Sequence, residues 1–114
     1  MPTYNRGDVV VVLYPFTDGS GQKPRPAVVV SNAALNRVSR DVIVAEITSR
    51  VATPAEYCDY DMNEWASLNL KVPSRIRVSR IASVDLRKVR KHLGHLSPAD
   101  EQLLEQSLRQ AFGL

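Results

Sequence analysis

The sequence predicts a mainly-β domain, a small and strongly curved antiparallel barrel carrying one C-terminal helix. Three observations lead there. Short β-branched runs recur along the chain, each bounded by Gly, Pro, Asn or Asp. Two stretches, Asp41 to Thr48 and Ser74 to Ile81, alternate in the two-residue period of a strand. Only the segment after Ser97 combines helical periodicity with a cap. Short strands with one terminal helix fit a single curved sheet better than alternating βα units.

The elements follow in order. Gly7-Asp8 reads as a turn, and Val9 to Tyr14 as a strand buried on both faces that Pro15 stops. Phe16 to Pro26, with Gly19, Ser20, Gly21, Pro24 and Pro26, reads as a long loop, and loops of that length often carry function. Ala27 to Ser31 is the next strand, and Asn32 to Arg40 holds one short helical turn. In the third strand, Asp41 to Thr48, alternation puts Val42, Val44, Glu46 and Thr48 on one face and Ile43, Ala45 and Ile47 on the other. A strand is expected near Glu56 to Tyr60 and another over Leu68 to Val72, closed by Pro73. From Ser74 to Ile81, Arg75, Arg77 and Ser79 point one way and Ile76 and Val78 the other. The last helix starts with Ser97 as N-cap, Pro98 at its first position and Asp100 completing a capping-box pattern. Leu104, Leu108 and Ala111/Phe112 form its apolar stripe, and Gly113 ends it.

The bulk numbers bound the function. A chain of 114 residues, 44% hydrophobic and 24% charged, is one globular domain with a real core. One cysteine, Cys58, cannot form an internal disulfide, and no secretion signal or membrane span is visible, so a cytoplasmic location is expected. The net charge of +3 is mild, but it is unevenly placed. Ala55 to Trp65 holds four acids and no base, whereas Lys71 to His95 holds eight bases and one acid. Such asymmetry suggests a basic face for phosphate or for an acidic protein, although ordinary solvated surface charge gives the same pattern.

Three segments together resemble the MazF/PemK (Kid) family of toxin–antitoxin ribonucleases. RGDVVVVLYPFTDGSGQKPRPAVVVSN, from Arg6 to Asn32, is similar to the family's opening. NRVSRDVIVAEITSR, from Asn36 to Arg50, is similar to its third strand, which ends in I-T-S. The stretch from Val72 to Pro98, with PSRIRVSRIASVD and KHLGHLSP, resembles its basic strand, its Asp turn and the G-x-L-S-P run before the last helix. No piece is diagnostic alone; the ordered combination is specific and leaves out only the stretch around Val51 to Leu70. The resemblance implies an SH3-like barrel, a homodimer and an acidic antitoxin partner. It also implies metal-independent, sequence-selective cleavage of single-stranded mRNA, leaving 2′,3′-cyclic phosphate and 5′-hydroxyl ends without a cofactor.

On that resemblance Arg25 and Thr48 are the catalytic candidates. A guanidinium offers a fork of donors that fits phosphate and stabilises charge in the transition state, and a hydroxyl can align the 2′-hydroxyl. Lys23, Arg75, Arg77 and Ser79 are expected to bind RNA. Some family members carry an acidic residue where this chain has Ser79, which leaves the proton transfers unassigned. Glu46, two residues before Thr48 on the same face, is a candidate acid/base, with a structural ion pair as its other reading. No H-x-x-x-H, cysteine pair or tight carboxylate cluster suggests a metal site, and GSGQK lacks the phosphate-loop spacing. The loop Thr17 to Lys23 is expected to cover the groove. Phe16 and Trp65 could stack on bases; Phe16 fits a core role better, and Trp65 could instead serve the dimer or antitoxin interface. His92 and His95, which invite an acid–base pair, read instead as structural or solvent-facing. Two other functions suit the same barrel: a CcdB-like protein that poisons DNA gyrase, and a noncatalytic barrel binding RNA or protein.

Overall fold

The computed structural model describes residues 3–15 and 22–114. Its elements are β1 (Asp8–Pro15), β2 (Gln22–Val29), α1 (Ala33–Val38), β3 (Asp41–Thr48), β4 (Tyr60–Asp61), β5 (Arg75–Asp85), β6 (Val89–His95) and α2 (Pro98–Phe112). Short 3-10 turns at Trp65–Leu68 and Leu86–Lys88 sit between them. The strands form one antiparallel sheet in the order β4-β5-β3-β2-β1-β6. The mainly-β class and the C-terminal helix are as expected. β4 and β6 form the two edges, so the curved sheet is an open barrel.

Both faces of the sheet are apolar, which explains the unbroken valine runs of β1 and β2. On one face Val9, Val28, Ala45, Ile47, Ile76 and Val78 pack with Leu104 of α2. On the other, Val10, Val12, Ala27, Val29, Val42, Val44 and Val84 form a second cluster. The alternation read for β3 therefore assigns its two faces correctly.

Several boundaries differ. β2 starts at Gln22, inside the stretch expected to be loop. Pro24 and Pro26 fit there because they lie opposite Leu13 and Val11 of β1, whereas the bonded pairing with β3 begins only at Ala27. A missing N–H is harmless where a strand is paired on one side. The expected strand at Leu68 to Val72 is absent: Leu68 ends a 3-10 turn, and Asn69 takes the left-handed conformation with φ 58°. The strand near Glu56 to Tyr60 shrinks to Tyr60–Asp61. β6 forms where no strand was predicted, because three consecutive polar residues, Arg90, Lys91 and His92, hide any two-residue alternation.

Capping of α2 is half as expected. Ser97 Oγ accepts from Asp100 N at 3.2 Å. The Asp100 carboxylate does not return to Ser97. It is fully buried and accepts from Asn63 N (3.0 Å), Asn63 Nδ2 (3.2 Å) and Glu64 N (3.0 Å). The start of α2 thus anchors the segment that follows β4. Tyr60 Oη adds a bond of 2.8 Å to the Asp100 carbonyl, and burial, with Asp100 nearby, raises the Tyr60 pKa well above the ordinary tyrosine range.

Candidate active site

Strand register gathers the candidates. In antiparallel pairs, directly opposed residues share a face of the sheet. Ala27 opposes Glu46 in the β2–β3 ladder, and Glu46 opposes Arg77 in the β3–β5 ladder. Thr48 opposes Arg75, and the β2–β3 pairing ends at Ala27, two residues from Arg25. Arg25 lies opposite Val12 of β1, on the face of the second valine cluster. Glu46, Thr48, Arg75 and Arg77 therefore form two adjacent rows, and Arg25 shares their face of the sheet. Lys23 and Arg25 are exposed, and Glu46 and Thr48 are half-buried. Thr48 Oγ1 accepts from Arg50 N at 3.2 Å, which leaves its own O–H free to donate outward.

The acidic segment before β5 folds onto the basic strand. Arg75 is buried, with Nε donating to Asp61 Oδ1 at 2.6 Å and Nη2 to the carbonyls of Thr53 (2.8 Å) and Val51 (3.4 Å). The hydrogen bond it donates to Asp61 holds the guanidinium pKa even higher than usual. Arg77 Nε points at Asp59 Oδ2 (3.4 Å), and its Nη2 lies 3.6 Å from Glu56 Oε1. The Asp59 side chain is 1% exposed and accepts from Ser79 N (3.1 Å) and Ser79 Oγ (2.9 Å to Oδ2). Between these groups Cys58 holds a left-handed φ of 67°; burial, then Asp59 and Glu56, raises its thiol pKa.

The two histidines lie apart from these rows, at the start of β1 and end of β6. His95 Nδ1 meets Asp8 Oδ1 at 2.8 Å and its Nε2 meets Glu101 Oε2 at 3.1 Å. The Asp8 bond chiefly raises its pKa, with partial burial opposing and Glu101 assisting. His92 sits 3.7 Å from the same Asp8 oxygen and edge-on to Tyr4. His95 ties the first strand to the last strand and helix, whereas the His92 side chain is about half exposed.

A groove of about 750 Å³ opens on the opposite face of the sheet, lined by Leu35, Ile43, Ile81, Leu108, Phe112 and Leu114 among others. Among the described residues, no three His, Cys, Asp or Glu side chains are grouped to hold a metal ion.

A family model described as a PemK-like, MazF-like toxin of type II toxin–antitoxin systems matches residues 5–112. The chain belongs to this family. Solved MazF-like structures share its fold. An endoribonuclease in complex with its cognate antitoxin, from a mycobacterial species, has a TM-score of 0.77 at 22% identity, over 97% of this chain and 96% of that one. MazF from Deinococcus radiodurans gives 0.76 at 21% identity over all of both chains. The Mycobacterium tuberculosis toxin MazF-mt6 gives 0.75 at 19%, over 94% and 97%.

In this MazF-like toxin the strands bring Arg25, Thr48, Glu46 and Arg77 to one face of the sheet. Arg75 shares the row but not the surface. It is buried and donates to three intramolecular acceptors, so its guanidinium is engaged within the fold. Ser79 is exposed, but its hydroxyl is engaged by Asp59. Trp65 packs against the core as a half-buried residue instead of standing out to stack. Phe16 and Thr17 to Gly21 of the expected covering loop lie outside the described residues. Sequence reasoning missed Asp59 and Glu56. The only signal was the acid-rich run opposite the base-rich one, and nothing local says which carboxylate meets which arginine.

Proposed function

We propose that this toxin is a metal-independent endoribonuclease that cuts single-stranded RNA at the face holding Arg25 and Thr48. The observation that supports the reading is a shared face of the sheet: Arg25 lies on the face of Val12 and Ala27, Ala27 opposes Glu46, and Glu46 opposes Arg77, with Thr48 and Arg75 in the next row. In the reaction, the RNA 2′-oxygen attacks the adjacent phosphorus and the bond from phosphorus to the 5′-oxygen breaks. The products are a 2′,3′-cyclic phosphate and a 5′-hydroxyl. Arg25 stabilises the extra charge on the phosphoryl oxygens. The Thr48 hydroxyl donates to a phosphate oxygen and aligns the nucleophile. In this reading Glu46 takes the 2′-hydroxyl proton and the departing 5′-oxygen takes a proton from water. Lys23 and Arg77 bind flanking phosphates.

Partners follow the same reading. An acidic antitoxin segment competes for the basic rows, as the complex with a cognate antitoxin among the similar structures supports. The toxin acts as a homodimer, and the apolar groove with Phe112 62% and Leu114 88% exposed gives such contacts a surface. The site of action is the cytoplasm, where mRNA is found; among the described residues no helix is long and apolar enough to cross a membrane.

The test is incubation of purified protein with a long unstructured RNA in excess chelator. Cuts with 5′-hydroxyl ends, lost in Arg25→Ala, support the reading. Intact RNA with inhibition of DNA gyrase favours the CcdB-like alternative, and RNA binding without cuts favours a noncatalytic barrel.

A further inference from the structure

We propose that Asp59 is a positioning residue for Arg77, fixing the edge from which that guanidinium meets RNA phosphate; this rests on the ribonuclease reading above. A carboxylate that is 1% exposed is costly to bury unless its oxygens are satisfied. Here Ser79 supplies the satisfaction from the neighbouring position on β5: its backbone N–H reaches Oδ1 at 3.1 Å, and its hydroxyl lies 3.1 Å from Oδ1 and 2.9 Å from Oδ2. The carboxylate so held faces Arg77 Nε at 3.4 Å.

The consequence for Arg77 is directional. Its side chain is 21% exposed, with Nε turned to the buried Asp59 and Nη2 to the exposed Glu56. Asp59 occupies the Nε edge. Nη2 lies 3.6 Å from Glu56 Oε1, outside direct hydrogen-bond range, and the Glu56 side chain is 69% exposed. An exposed ion pair of that kind is weak. A phosphate approaching from solvent displaces Glu56 and takes the outer nitrogens, while Asp59 keeps the guanidinium plane from swinging. Arg77 opposes Glu46 in the ladder, so its orientation bears directly on the row beside Thr48. Asp59 is too deeply buried to touch RNA, and it acts only through Arg77.

A double-mutant cycle tests this. Cleavage of one unstructured RNA is measured for wild type, Asp59→Asn, Arg77→Ala and the double variant. Asp59→Asn should lower kcat/KM by roughly ten- to a hundredfold, the scale of a misplaced binding group. The double variant should match Arg77→Ala within about twofold, since one residue works through the other. Exchange of the two partners, Asp59→Ser with Ser79→Asp, returns a carboxylate to the Nε edge and should restore most of the loss. The Arg77 Nε–H resonance should shift in Asp59→Asn and return in the exchange variant, a readout that needs no cleavage. Multiplying losses, unchanged kinetics in Asp59→Asn, or a folded exchange variant without recovery would overturn the proposal. A wild type that leaves RNA intact refutes the ribonuclease reading itself; a cutting wild type with an additive cycle refutes only the role of Asp59.

Discussion

Arg75 Nε and Asp61 Oδ1 meet at 2.6 Å between residues that are also direct partners in the β4–β5 ladder. This contact fastens the acid-rich segment to the base-rich strand. Two of the eight bases between Lys71 and His95, Arg75 and Arg77, meet the acidic segment, whereas Lys71, Arg80, Arg90 and Lys91 are exposed.

Arg75 should therefore behave as a structural residue. Arg75→Ala and Arg75→Lys should both lower the thermal and urea midpoints, because a lysine ammonium cannot reach Asp61 and two carbonyls with the geometry of a guanidinium. The KM for RNA of the folded fraction should change little. Melting curves beside cleavage kinetics check this, and a raised KM at unchanged midpoint would assign Arg75 to RNA instead.

Arg25→Ala should reduce kcat by about 100- to 1000-fold, the usual cost of removing one donor aimed at transition-state charge. Arg25→Lys should recover only part, since a point charge does not reproduce the fork. For Glu46→Gln, single-turnover rates across pH decide the role: a lost dependence on deprotonation makes it the base, and an unchanged profile removes it from the mechanism.

His95 sets a pH dependence of stability. Its folded pKa is raised, chiefly by Asp8, with Glu101 on the other nitrogen and His92 and Tyr4 nearby. A raised folded value means the clamp contributes fully below the unfolded value near 6.5 and is lost as pH rises through the folded value. The thermal midpoint should fall across that window, and His95→Asn should flatten the fall. Gly7 belongs to the same contact: at φ +96°, a Cβ there would lie 2.8 Å from His95 Cε1, so Gly7→Ala should disturb the clamp as well.

The join between α2 and the sheet should dominate stability. Leu104 is fully buried, and Leu104→Ala should cost about 2–5 kcal/mol. Asp100→Ala strands the three donors of Asn63 and Glu64 and should cost roughly 2–4 kcal/mol. Urea unfolding monitored by circular dichroism measures both.

What the sequence made legible was what local chemistry decides. Alternation in β3 put Glu46 and Thr48 on one face, and the Ser97-Pro98 start located α2. What it hid was decided by distant partners. Pro24 and Pro26 read as loop because nothing local says that β2 is paired on one side there. Leu68 to Val72 read as a strand from its apolar residues, whereas Leu68 is fixed by the core and packs under Gly94. Arg75 and Arg77 look alike in sequence, and only the fold of the acidic segment buries one and leaves the other half-open.

The most direct measurement uses an RNA whose cut site has been mapped, compared with the same RNA carrying a single 2′-deoxy sugar on the 5′ side of the scissile phosphate. With chelator present, wild type should cut the first and leave the second whole, and Arg25→Ala should cut neither at a comparable rate. Equal cutting of both RNAs, or undiminished cutting by Arg25→Ala, would contradict a 2′-hydroxyl attack supported by that guanidinium.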